Sequence, residues 1–322
     1  MIKRIGIPLL KIIISSFLII ILLVKVGPRD IISQFVSANV WWIVVGIIVF
    51  TISNLLGAFQ WHLLMKTKGI HLPWLHVLRY YYIGLFFNNF LIGNVGGDAI
   101  RIYDISKVSG DLSHAISTVF FDRLIGFFML TTLALFSALF WHNIFQSNTL
   151  FLVTFIIFFI WVISFIILFN EKFAARIGWI FRFLLTPKMN DKVREVYYSI
   201  NSFKHEKRTL ILVSLISLII QSLRILVHYY AALSVSVSAH APHIKYFIIF
   251  IPVIALLASL PISIGGIGIR ESSAVALFSQ VNTLQPKSIV AFEFLAYLIG
   301  LISTIPGGIF FILRKEKQLL QS

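Results

Sequence analysis

Asn94-Val95-Gly96-Gly97-Asp98-Ala99-Ile100-Arg101 and Ser263-Ile264-Gly265-Gly266-Ile267-Gly268-Ile269-Arg270 are two versions of one motif, a glycine pair followed by an arginine. Each interrupts a strongly apolar run, one over 76–107 and one over 244–281. Paired glycines and charges disfavour an unbroken helix in hydrocarbon, where every backbone N–H and C=O needs a partner. Two such breaks in corresponding places predict a duplicated, non-helical element lining a cavity inside a bilayer.

The surrounding chain is written for a membrane. Of its 322 residues, 59% are hydrophobic and 12% charged, about half the charged share of a soluble domain. Further apolar runs near 7–26, 41–65, 115–141, 149–169, 209–233 and 288–313 are each long enough to cross ~30 Å of hydrocarbon. The first run follows Lys3 and Arg4 but lacks a small-residue cleavage site, so it is expected to be a retained helix. The net charge of +15 comes from basic residues gathered in loops; it reflects the positive-inside rule and predicts no nucleic-acid partner. The absence of cysteine excludes disulfides and thiolate chemistry.

Loop charge sets the topology. Lys3 and Arg4, Lys66 and Lys68, the segment 170–208 with nine basic and four acidic residues, and Arg314-Lys315-Glu316-Lys317 are assigned to the cytoplasm. The loops near 143–148 and 234–243 carry no lysine or arginine and are assigned outside. Both ends of 76–107 then fall inside and both ends of 244–281 outside. The expected fold is an all-α polytopic membrane protein of about six transmembrane helices plus two opposed re-entrant helical hairpins, in an inverted repeat. The chain is read as one domain: repeat 1 over 41–141, an amphipathic cytoplasmic connector over 170–208, and repeat 2 over 209–313. In that connector Val193, Val196, Tyr197, Ile200 and Phe203 recur at helical spacing, so it is expected to rest on anionic lipid headgroups. Trp41, Trp42, Trp74, Tyr80, Tyr81 and Tyr82 are expected as interfacial anchors.

Charges at membrane depth cost roughly 2.5–3.5 kcal/mol each on the insertion scale. Arg79, Asp98, Arg101, Asp122, Arg123, Arg224, Arg270, Glu271 and Glu293 all stand there, so each needs a partner or a polar cavity. For any of them the bland reading is an ion pair that fixes helix packing. For Arg101 and Arg270 a second reading is specific. A helix that restarts after a glycine break offers unpaired N–H groups and its positive dipole end, and an arginine one turn on adds a fork suited to phosphate. Gly96, Gly97, Arg101, Gly265, Gly266 and Arg270 are therefore the candidate lipid-phosphate site. Asp98, Glu271, Asp122, Arg123 and Arg224 are candidates for the polar cavity or for coupling, with Asp98 expected to cap its helix and Glu271 to pair with an arginine. Pro306-Gly307-Gly308 is expected to kink the last span and allow close packing. No nucleotide loop, nucleophile elbow or metal-binding histidine spacing is present; no cofactor, metal or catalytic residue is expected.

The segment Asn88-Asn89 through Arg101, the Asp122-Arg123-x-x-Gly126 step and Pro261-Ile262-Ser263-Ile264-Gly265-Gly266-Ile267-Gly268-Ile269-Arg270-Glu271 resemble the lysylphosphatidylglycerol synthetase transmembrane family. That family includes the flippase domain of the multiple peptide resistance factor; its usual Glu-Arg step stands here as Asp122-Arg123. The resemblance covers nearly the whole chain. It implies a lipid-translocating domain of the plasma membrane, multi-pass with cytoplasmic termini, rather than an enzyme. Bifunctional relatives carry a soluble aminoacyl-transferase domain after the membrane part; this sequence ends at Ser322 without one, so lysyl transfer is not expected. The cargo implied is a membrane phospholipid or a polyprenyl or glycolipid phosphate. Two other readings stay open: a membrane-embedded headgroup transferase with Asp98 or Glu271 as base, and an accessory lipid-binding protein.

Overall fold

The computed structural model describes residues 33–90, 96–140, 148–174, 176, 187–235, 243–259, 263, 266–281 and 284–319. The first apolar run, most of the connector before 187, the loops near 143–148 and 234–243, and Asn94, Val95, Ile264 and Gly265 lie largely or wholly outside them. All regular structure among the described residues is helical. The helices are α1 (Val40–Lys66), α2 (Trp74–Phe90), α3 (Gly96–Ser109), α4 (Leu112–Phe140), α5 (Asn148–Phe169), α6 (Pro187–Asn201), α7 (Lys207–Val235), α8 (Ile244–Ser259), α9 (Ile269–Phe278) and α10 (Pro286–Leu319).

Length sorts them. Helices α1, α4, α7 and α10 each hold a stretch of 27–29 residues that is apolar enough to cross a membrane, at ~1.5 Å per residue about 40 Å. The protein is thus a multi-pass membrane protein. Helices α2, α3, α8 and α9 have 17, 14, 16 and 10 residues. Of these, α3 and α9 fall well short of crossing alone. Each pair packs on itself, α2 against α3 and α8 against α9. The sequence had marked both pairs as single interrupted runs.

The packing has an internal order. Exchange α1 with α7, α2 with α8, α3 with α9 and α4 with α10, and each substantial pairing among these eight helices maps onto itself or onto another that is present. The longest contact, α1 on α7, maps onto itself. Contacts α2–α10 and α8–α4 exchange, as do α3–α4 and α9–α10, α1–α2 and α7–α8, α1–α4 and α7–α10, and α1–α10 and α7–α4. Helices α5 and α6 stand outside this exchange and pack on α4.

The two pairs also have their own apolar centres. Around α8 and α9, Phe247, Phe250, Phe278 and Phe292 are fully buried and in mutual ring contact. Around α2, Trp61, Val77 and Tyr81 form the counterpart. Glycines allow the closest crossings. A Cβ on Gly97 of α3 would lie 1.8 Å from the Gly84 carbonyl oxygen of α2, and one on Gly307 of α10 would lie 2.0 Å from the Tyr82 carbonyl oxygen. The close packing expected at Gly307 is therefore present.

Helix α6 corrects one expectation. The apolar stripe does not simply face lipid: Ile200 and Phe203 are buried, and Phe203 stacks on Phe121 of α4 at 4.4 Å. Val193 is exposed. The segment also ties three places together. The Lys68 amine, just after α1, donates to the Ser199 carbonyl and to the Ser202 hydroxyl, and sits 3.8 Å from the centre of the Phe203 ring. Burial pushes that amine down to about 8. Ser113, at the start of α4, donates to Glu195, and Ser117 shares a 2.7 Å hydrogen bond with Ser199. At the other extreme the Asn39 N–H donates to the Ser234 carbonyl, and Ser137 near the end of α4 donates to the Ile248 carbonyl at the start of α8.

Candidate functional site

Between the two halves lies a cavity of about 420 Å³. Helices α1, α2, α3, α4, α7, α8, α9 and α10 all contribute to it. Its charged lining is Asp98, Arg101, Asp122, Arg123, Arg224, His228 and Arg270, with Asn54, Gln60, Asn88, Asn89, Gln221 and Thr304 as neutral polar groups. The two motif arginines, far apart in sequence, thus reach one chamber.

Each motif arginine is held by two carboxylates. The Arg101 guanidinium meets Asp122 at 3.0 Å and Asp98 at 3.5 Å. It also lies 4.1 Å from the Trp61 ring centre and 4.8 Å from that of Tyr81. In the second half Arg270 meets Glu271 at 3.3 Å and Glu293 at 3.6 Å, with Tyr297 at 5.0 Å. The correspondence is close: one acid from the restarted helix, one from the span that follows, and an aromatic ring. It is not complete. Arg123 adds a second cation to Asp98, and Gln60 donates to Asp122 at 2.9 Å. On the other side His228 contacts Glu293 at 3.1 Å. A desolvated carboxylate needs such company, because an unpaired charge in this environment is costly.

The restart geometry differs between the halves. In the first, Asn88 of α2 accepts the Gly97 N–H at 2.9 Å. Asp98, in the first turn of α3, is paired with Arg101 and Arg123, charge-assisted contacts stronger than a neutral one; the residues just before α3, the helix it was expected to cap, lie outside the described ones. Gly97 is thus needed for the crossing of α2, and its amide is already used. In the second, Gly266 and Gly268 have φ of 76° and 86°, left-handed values that glycine adopts without strain. Glu271 accepts the Gly268 N–H at 2.6 Å and so caps α9 while it pairs with Arg270. Its expected pairing is present. Gly96 begins α3, and Gly265 lies outside the described residues.

Sequence reasoning missed part of the chamber. Tyr81 and Tyr82 are buried, not interfacial, because Tyr81 covers Arg101 and Tyr82 meets the glycine of α10; Trp41 and Trp74 are exposed as expected of anchors. Asn54, Gln60 and Gln221 were also overlooked. Their signal was available: polar amides inside apolar spans, with Asn54 and Gln221 on cavity-facing stripes. The residues Arg224 and His228, four apart on α7, do share a face and both line the cavity. Arg79 is exposed. No group of three or more metal-ligating side chains occurs among the described residues.

A multi-pass helical bundle with paired buried charges around an internal chamber defines the class: a polytopic membrane protein with a polar core. The chain belongs to the family described as the lysylphosphatidylglycerol synthase TM region, which it matches over residues 9–308. It is also similar to UPF0104 membrane protein PH1989 of Pyrococcus horikoshii, with 28% identity covering 97% of this chain and 98% of the relative.

Proposed function

We propose that this protein moves a phosphate-bearing lipid between membrane leaflets, without chemistry on the lipid. The carrying observation is the arginine-lined chamber at the meeting of two halves that exchange with one another. At about 420 Å³ it has the size of a small-ligand site, room for a headgroup but not for acyl chains. The tails stay in the bilayer. The family's own description, taken from a synthase of an aminoacylated phospholipid, supports a lipid as cargo.

The two short-helix pairs are re-entrant hairpins in this reading. In support, the chain before α2 (Lys68) and the chain after α3 (Ser113) both bind the α6 segment, so that pair begins and ends on one side. The contacts at Asn39, Ser137 and Ser234 gather the start of α1, the ends of α4 and α7 and the start of α8 at the opposite side. Such halves can open the chamber to each leaflet in turn. The α6 side is cytoplasmic, with both termini there, and the membrane is the plasma membrane. Arg101 and Arg270, next to Gly96, Gly97 and Gly266, brace the chamber wall, and Arg123, Arg224 and Arg270 give it its positive lining.

The test is movement of tail-labelled fluorescent phosphatidylglycerol in vesicles containing the purified protein. Dithionite bleaching is expected to proceed past the outer-leaflet fraction. Bleaching that stops at that fraction, as in protein-free vesicles, overturns the proposal. Gly126→Leu should slow the movement severalfold: Gly126 lines the chamber, and a Cβ there meets only the Gln221 amide, at 3.6 Å.

A further inference from the structure

Resting on the reading of the chamber as a headgroup site, we propose that Arg224 is the residue that grips the lipid phosphate. Asn54 supplies a second, neutral contact, and Arg101 and Arg270 are struts. The ligand class that follows is an anionic phosphodiester or phosphomonoester headgroup bearing a hydroxyl group.

Charge separates Arg224 from the motif arginines. The motif arginines each face two carboxylates already, and the Arg101 side chain is 5% exposed. A phosphate reaching Arg101 would have to displace Asp122 from a buried pair. Arg224 lines the same cavity and has no ion-pair partner among the described residues, which sets it apart; its buried Nε, like those of Arg101 and Arg270, has no hydrogen-bond acceptor. A guanidinium in that state offers its planar fork to a phosphate.

The two halves differ at this position. Helices α1 and α7 exchange in the packing, and both show the chamber a stripe of the same spacing: Phe50, Asn54 and Gly57 on α1, Ser217, Gln221 and Arg224 on α7. Where α7 has Arg224, α1 has Gly57, and the space beside Gly57 is taken by the Tyr81 hydroxyl, 2.1 Å from the position of a Cβ. The arginine–carboxylate pairs occur in both halves, as architecture does. Among the described residues lining the chamber, an arginine without an ion pair occurs in one half only, as a ligand contact does.

Asn54 is fully buried and lines the chamber, yet neither its amide nitrogen nor its oxygen has a hydrogen-bond partner among the described residues. A buried amide left so is unfavourable. One donor and one acceptor in one group suit a phosphate oxygen together with a headgroup hydroxyl.

The experiment titrates detergent-purified protein with dioctanoyl phosphatidylglycerol, with neutral dioctanoylglycerol and with glycerol phosphate, read by native mass spectrometry, alongside thermal unfolding. Arg224→Gln should weaken phosphatidylglycerol about tenfold or more, the loss of a charge-assisted pair, with dioctanoylglycerol and the unfolding midpoint unchanged. Arg101→Gln should instead lower the midpoint. Asn54→Leu should weaken phosphatidylglycerol severalfold while raising the midpoint, since it removes unpaired polar groups. It carries the test if the Arg224 variant does not fold. Wild-type affinity for phosphatidylglycerol in Arg224→Gln, or in Asn54→Leu, overturns the assignment. Wild-type protein that takes both lipids equally overturns the phosphate reading itself. Saturation by glycerol phosphate without retention of the lipid overturns the lipid as its source.

Discussion

Arg101 is a cation almost out of reach of water, wedged between Trp61 and Tyr81 and closed by Asp98 and Asp122. At this scale energy depends on what remains when one partner goes. Removing one member of a buried pair leaves the other charge uncompensated and costs about 3–5 kcal/mol. An exposed pair contributes about 0–1 kcal/mol. Asp122→Asn, which leaves Arg101 only the longer contact to Asp98 and alters the Gln60 contact, should therefore lower the unfolding midpoint sharply. Glu171→Gln, which breaks the half-exposed Lys204–Glu171 contact at 3.0 Å, should leave it nearly unchanged. Equal midpoints for the two variants, measured by thermal unfolding in detergent, would refute the strut role. Sequence made the existence of these charges plain, because Asp122, Arg224 and Glu293 stand in otherwise apolar spans. It could not pair them: Arg101 and Asp122 are on different helices, and His228 finds Glu293 across the bundle.

Among the elements, the α2–α3 crossing is the most constrained. Gly97 lies on the Gly84 carbonyl with no room for a methyl group, and Asn88 takes its amide. Gly97→Ala should destabilise the protein by about 3 kcal/mol, the upper end for overpacking, because the obstructing atom is backbone and cannot swing away. Gly69→Ala, with φ of 69° and open space around it, should lose only the cost of a left-handed alanine, about 1–2 kcal/mol. Denaturant unfolding of the two variants checks the order. The sequence located both short-helix pairs by their glycine breaks, to within a few residues of the observed ends. It could not show that the end of the α6 segment packs on protein, because a helical stripe of apolar residues looks the same whether it meets lipid or protein; Phe203, in the turn after α6, stacks on Phe121.

For the whole molecule the exchange of α1–α4 with α7–α10 places one chamber between two corresponding halves, the arrangement on which the proposed alternating access rests. The chain has no cysteine, so single cysteines report topology cleanly. With a membrane-impermeant thiol reagent, cysteines at His71 and Val108 should react from one side of the membrane. Those at His243 and Gln285 should react from the other. Labelling of 71 and 108 from opposite sides would show that α2 and α3 together cross the membrane, and would remove the re-entrant reading. The amino-acid sequence by itself determined the membrane class, the two interrupted segments and most of the charges that line the chamber; of its six expected spans, four are long and apolar enough to cross among the described residues, and Arg79, expected at membrane depth, is exposed. Hydropathy, glycine and charge are local properties, and each is written in consecutive residues. The tertiary structure alone decided which charge neutralises which. It left Arg224 and Asn54 without partners in a shared chamber and set Gly57 against Tyr81 where the other half keeps an arginine. Those outcomes depend on distances between helices far apart in the chain, and no stretch of sequence encodes them alone.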